Sequence, residues 1–187
     1  GYRIKGVDNA FQEGKIFWLS AYAGKKRIGP VNSYFYNNTI YVNKEIETKI
    51  AIDRTANGIL IANNIFHITG NTKVVKGDQY KPEKKGNWNV KNVIFKNNLF
   101  LHNQSWPKSL KLQDENPFFG DANFTNLSSL YAKDYTPKNS NLIKNKGISI
   151  PRIPKDNIGL IYGLQVQKDI LGNTINGLPD LGAIELK

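Results

Sequence analysis

The sequence predicts an all-β solenoid, a single-stranded parallel β-helix whose last coils are followed by a capping segment. Three observations predict it. A unit built on an Asn-Asn pair recurs three times, short apolar strands precede those units at corresponding points, and no useful stretch follows the 3.6-residue helical period.

Taken along the chain, the first strand of the first coil is read at Ile16-Phe17-Trp18-Leu19-Ser20. The first unit follows at Phe35-Tyr36-Asn37-Asn38-Thr39-Ile40-Tyr41-Val42. The next coil opens at Thr48-Lys49-Ile50-Ala51-Ile52-Asp53 and reaches its unit at Ile61-Ala62-Asn63-Asn64-Ile65-Phe66-His67-Ile68. A third coil is read from residues 72–76 around Val74, through a Lys-, Gly- and Pro-bearing loop at Lys76 to Asn89, to Phe95-Lys96-Asn97-Asn98-Leu99-Phe100-Leu101-His102. Ser109-Leu110-Lys111-Leu112-Gln113 reads as the first strand of one more coil.

Asparagine tolerates the left-handed backbone conformation better than any residue except glycine, so an Asn pair between two strands reads as a sharp bend. A β-hairpin is the rival reading. Two features oppose it: the pair lacks glycine, and a recurrence of 26 and then 34 residues is too long for a meander but suits a coil of three strands. Coils stacked at the ~4.8 Å strand spacing would place the Asn pairs one above another, where their amides form a hydrogen-bonded ladder.

The chain of 187 residues is long enough to bury a core as one domain without disulfides or a structural metal. It has no cysteine, which excludes a disulfide framework, a thiol nucleophile and a thiolate metal site. It also has no methionine, even at position 1, and the expectation is a piece of a longer precursor. No stretch approaches the ~20 apolar residues of a membrane helix. With 26 basic and 15 acidic residues the net charge is +11, which favours a polyanionic partner. An AT-rich coding sequence also raises Lys, Asn and Ile, so the charge has a compositional reading beside the functional one. The basic residues are dispersed, in groups such as Lys25-Lys26-Arg27 and Lys84-Lys85. Nucleic acid, which asks for a concentrated patch, is therefore disfavoured.

These units resemble the right-handed parallel β-helix proteins, the pectate-lyase-like superfamily of polysaccharide lyases and glycoside hydrolases. The tail strengthens the resemblance. Asn116-Pro117-Phe118-Phe119 with Asp121, Asp134-Tyr135 and Asn139 to Gly147 are similar to the stretch after the last coils of secreted bacterial members, and Asp169 to Asn173 with Gly177 to Glu185 to their closing segment. The resemblance implies one domain over 1–187, with coils over about 1–126 and a capping segment over about 127–187. It implies a secreted, periplasmic or cell-surface monomer, an acidic polysaccharide as partner, and calcium as a cofactor of some members. The carboxylates of Asp180 and Glu185 are read as fixing turns in the closing segment.

The resemblance also implies a substrate groove along the outside of the first strand of successive coils. Side chains alternate along a strand. With Phe17, Leu19, Ile50, Ile52, Leu110 and Leu112 inward, the outward set includes Trp18, Lys49, Asp53 and Lys111. Trp18 and Tyr22 are candidate sugar platforms, and Lys49 and Lys111 are candidates for neutralising a uronate. β-Elimination needs the uronate carboxylate neutralised and a base for the C5 proton, a role that Lys or Arg takes in related lyases. Arg54 beside Asp53 is the candidate catalytic pair, with Asp53 as a proton-transfer or calcium group. His67 and His102 fall at opposite parity after their Asn pairs and are not expected to form a metal pair. No metal site is assigned. Two functions stay open: an enzyme acting on an acidic polymer, and a non-catalytic β-helix module that binds glycan.

Overall fold

The computed structural model describes residues 13–19, 30–52, 56–74, 91–102 and 114–187. Regular structure is mostly strand, and every pairing between strands is parallel. Helix among the described residues is confined to a 3₁₀ turn at Ala132–Tyr135 and one short α-helix, α1, at Ser140–Ile143. No helix there is long and apolar enough to cross a membrane.

Among the described residues, three sheets account for the strands. The first holds β1 (Glu13–Leu19), β4 (Glu47–Ile52) and β7 (Thr72–Val74). The second holds β2 (Val31–Tyr36), β5 (Asn57–Ala62) and β8 (Lys91–Lys96). The third holds β3 (Thr39–Val42), β6 (Ile65–Ile68), β9 (Leu99–Phe100) and β10 (Phe118–Phe119). The chain therefore visits first, second and third sheet in the same order three times over β1 to β9. Three of the four strands read as coil openings lie together in the first sheet; the fourth, residues 109–113, is outside the described residues.

Each Asn pair joins a strand of the second sheet to one of the third. The flanking strands pair with the next coil and not with each other, so the doublets are corners and not hairpin tips. The first Asn of each pair carries the bend: φ is 52° at Asn37, 55° at Asn63 and 59° at Asn97. The second Asn builds a ladder. Asn38 Nδ2 donates to Asn64 Oδ1 at 2.9 Å, Asn64 Nδ2 to Asn98 Oδ1 at 2.9 Å, and Asn98 Nδ2 to Asp114 Oδ2 at 2.6 Å. The first members form a second ladder running the other way, Asn97 Nδ2 to Asn63 Oδ1 at 3.2 Å and Asn63 Nδ2 to Asn37 Oδ1 at 3.1 Å. Buried amides at this corner, such as Asn64 and Asn98 at 0 % exposure, thus keep partners for both ends of the group.

The interior is one cluster fed by all three sheets: Phe17, Ile50 and Ile52 from the first, Ile59, Ile61 and Phe95 from the second, Phe66, Ile68 and Phe100 from the third. Phe66 and Phe100 stack with centroids 5.2 Å apart, and Phe17 meets Phe66 edge-on at 6.0 Å. Burying each such side chain stabilises the fold by about 1.5–3 kcal/mol.

The segment after Gly120 lies along the flanks of two sheets. Ile150 and Ile153 pack on Leu60 and Ala62 of the second sheet, while Ala122, Ile143 and Leu181 pack on Ile65 and Leu99 of the third. This explains why β5 and β6 are buried on successive residues: both faces of each are covered. At Gly182 the two backbones nearly touch. Its φ is +87°, its N–H donates to Asn63 O at 2.8 Å, and a Cβ there would stand 2.6 Å from Ile65 Cδ1.

Candidate functional site

The C-terminal segment reaches the second and third sheets and the corners between them, through Tyr34, Leu60 and Ala62 on the second sheet, Thr39, Ile65 and Leu99 on the third, and Asn63 and Asn97 at the corners. In the first sheet, Thr48, Ile50 and Ile52 of β4 are buried, at every second position of the strand. Inside, Thr48 and Thr72 share a hydroxyl hydrogen bond of 2.7 Å, and Thr48 Oγ1 donates to Asn71 O at 3.1 Å.

Two of the sequence-predicted residues fall within this sheet. Trp18 is in register with Ala51 in β1 and β4, and Lys49 is in register with Lys15 of β1 and Lys73 of β7. Tyr22, Asp53, Arg54 and Lys111 lie outside the described residues. Asp53 and Arg54 follow directly on Ile52, the last residue of β4.

Lys15 and Lys73 were missed by reading the sequence. A signal for them exists, since each of the three lysines precedes an Ile or Val: Lys15-Ile16, Lys49-Ile50, Lys73-Val74. What hides it is the irregularity between Lys15 and Phe17, which shifts the alternation of β1 by one residue against β4. Parallel neighbours stand ~4.8 Å apart, so one register position held by lysine on three strands places three lysine backbones in a row with that period. Like charges on adjacent strands destabilise a sheet. Glu13 and Glu47 are in register two residues earlier on β1 and β4.

The two histidines differ in exposure. His67 is 3 % exposed, closed in between the third sheet and the C-terminal segment. Its ring centroid is 5.3 Å from Phe124 and 5.7 Å from Tyr41, and its Nδ1 is 3.7 Å from Asp121 Oδ1. Burial pulls its pKa below the ordinary histidine value, His102 adds to that, and Asp121 opposes both. His102 is exposed. Among the described residues no group of three His, Asp or Glu side chains is placed to hold a metal.

The carboxylates of the closing segment accept backbone N–H groups, one of them 35 residues away in sequence. Asp180 accepts the Asn145 N–H at 2.6 Å and the Leu186 N–H at 2.6 Å, and Glu185 accepts the Asp180 N–H at 2.8 Å. Upstream of it, a third carboxylate ties the C-terminal segment to the second sheet: Tyr34 Oη donates to Asp156 Oδ2 at 2.5 Å and itself accepts the Ile153 N–H at 3.1 Å. The Tyr34 hydroxyl, with the Gly159 and Ile158 N–H groups, holds Asp156 below the usual carboxylate range.

No family model matches the chain. It is similar to the lacto-N-biosidase of Bifidobacterium longum subsp. longum, with 25% identity over 174 residues covering 84% of this chain and 10% of that protein. The chain spans about a tenth of the length of the curated relative it matches.

Proposed function

We propose that this chain is a right-handed parallel β-helix of the pectate-lyase-like kind, belonging to a secreted or cell-surface carbohydrate-active protein, and that its first sheet binds an acidic polysaccharide. The lysine row at positions 15, 49 and 73 is the observation that carries the reading. A polyanion lying across the strands would relieve the self-repulsion of that row. The distant similarity to a glycoside hydrolase supports a carbohydrate-directed role. The cyclic order of sheets and the Asn ladders support the β-helix.

In this reading Trp18 and Tyr22 supply apolar platforms for sugar rings, while Lys49 and Lys111 neutralise uronate carboxylates. Asp53 and Arg54, next after β4, are the proposed proton-transfer pair. A panel of uronate polymers tests the proposal, with binding, unsaturated product and new reducing ends followed in parallel. A lyase gives all three signals and a hydrolase gives binding with reducing ends. Binding alone identifies a glycan-binding module. No binding to any uronate polymer refutes the acidic-polysaccharide reading.

A further inference from the structure

A pocket of about 170 Å³ opens where the C-terminal segment crosses the Asn corner, on the side of the molecule that carries the second and third sheets. Two stretches of that segment, around Ser149 and from Leu164 to Gln167, form its walls together with Ile175, and Asn37 of the first corner closes it.

Its origin lies in an interrupted pattern. The segment runs past the corners two residues per coil. Asn97 Nδ2 donates to Lys146 O at 2.6 Å, and Asn63 exchanges two hydrogen bonds with Ile148, Nδ2 to O at 2.8 Å and N–H to Oδ1 at 3.0 Å. The same step would bring Asn37 to Ile150. Instead Gln165 makes that exchange, donating to Ile150 O at 3.1 Å and accepting from its N–H at 3.3 Å. Asn37 keeps only the ladder bond from Asn63 on its side-chain oxygen. Among the described residues its side-chain N–H donates to nothing, and the side chains of Ser149 and Gln167 are likewise without hydrogen-bond partners.

Three free uncharged polar groups thus meet the apolar side chains of Leu164, Val166 and Ile175, and no charged side chain lines the space. In a chain of net charge +11 that composition is selective. A charged ligand would find no counter-charge, and a purely apolar one would leave the amides and the hydroxyl without partners. Hydroxyl groups both donate and accept, as an amide does, while the C–H faces of a saturated ring suit the aliphatic wall. The volume is below the ~300 Å³ of a pocket for a drug-sized molecule, which limits the occupant to one small ring.

We propose that this pocket is a subsite for a single neutral sugar ring, separate from the lysine row of the first sheet. The inference does not rest on the acidic-polysaccharide reading. Its test titrates the intact chain with glucose, galactose and N-acetylglucosamine in turn, following side-chain amide resonances by NMR and affinity by calorimetry. At least one sugar is expected to bind and to shift the Asn37 and Gln167 amides. Ser149→Phe, which fills the pocket, and Gln167→Ala, which removes one exposed contact, are each expected to weaken that binding by about tenfold or more. Lys49→Ala is expected to leave it unchanged. The proposal is overturned if none of the three sugars binds, or if binding persists at full strength in Gln167→Ala or in a folded Ser149→Phe. Loss of neutral-sugar binding in Lys49→Ala also overturns it, because the two sites would then be one.

Discussion

Asp114 accepts the side-chain amide of Asn98 at 2.6 Å and so ends the asparagine ladder with a group that needs no donor of its own. It also takes the backbone N–H groups of Asn97, Asn98 and Asn116 at 2.7, 3.1 and 3.0 Å. Burial pushes its carboxyl up, and these four N–H groups pull it back toward ionisation. An asparagine at position 114 would turn an NH₂ toward one pair of these donors. Asp114→Asn is expected to lower stability by about 1–3 kcal/mol, read by thermal or denaturant unfolding. Unchanged stability would remove the ladder's terminus from the account.

His67 gives the fold a pH dependence of definite sign. Its folded-state pKa is lowered by burial, so the native state keeps it neutral where the unfolded chain binds a proton. That contribution to stability is complete above the unfolded value of about 6.5 and is lost as pH falls through the folded value. Unfolding midpoints measured between neutral and mildly acidic pH are expected to fall more steeply for the wild type than for His67→Phe. Parallel profiles would contradict this role.

Tyr34→Phe removes the donor that holds Asp156 down and the acceptor that fixes the Ile153 N–H. The Asp156 pKa is expected to rise toward the ordinary carboxylate value in an NMR titration. Because a depressed carboxylate stabilises the fold above its unfolded pKa and ceases to as pH falls through the folded one, acid loosening of the C-terminal segment should begin at higher pH in the variant.

Gly182→Ala meets both a left-handed backbone and a Cβ position 2.6 Å from Ile65 Cδ1 and 2.7 Å from Thr39 Oγ1. The expected cost is about 1–3 kcal/mol. Limited proteolysis should cut the closing segment faster in this variant than in the wild type; equal rates would mean that the close approach is not needed.

The corners were legible because an Asn pair carries its own backbone preference, and the left-handed φ values at Asn37, Asn63 and Asn97 are the ones it predicts. The opening strands β1, β4 and β7 were legible from short apolar runs at corresponding points. Asp114 was not, because the ladder changes residue type at its last rung. The flank-covering path of the C-terminal segment was also hidden, since bonds such as Ala183 N–H to Thr39 Oγ1 span 144 residues and leave no local pattern. Of the three lysines in the row, the sequence singled out Lys49. Its partners Lys15 and Lys73 emerge only from strand register, which a single-residue irregularity in β1 masks in the sequence.

The lysine row is tested most directly by titrating polygalacturonate into the wild type and into a Lys15→Ala, Lys49→Ala, Lys73→Ala triple variant at low and high salt. The wild type is expected to bind at low salt and to weaken steeply as salt screens the charges. The triple variant is expected to lose about tenfold or more in affinity with most of that salt dependence, while its thermal unfolding stays close to the wild type. Equal affinity and equal salt dependence in the two proteins would contradict a polyanion site on the first sheet.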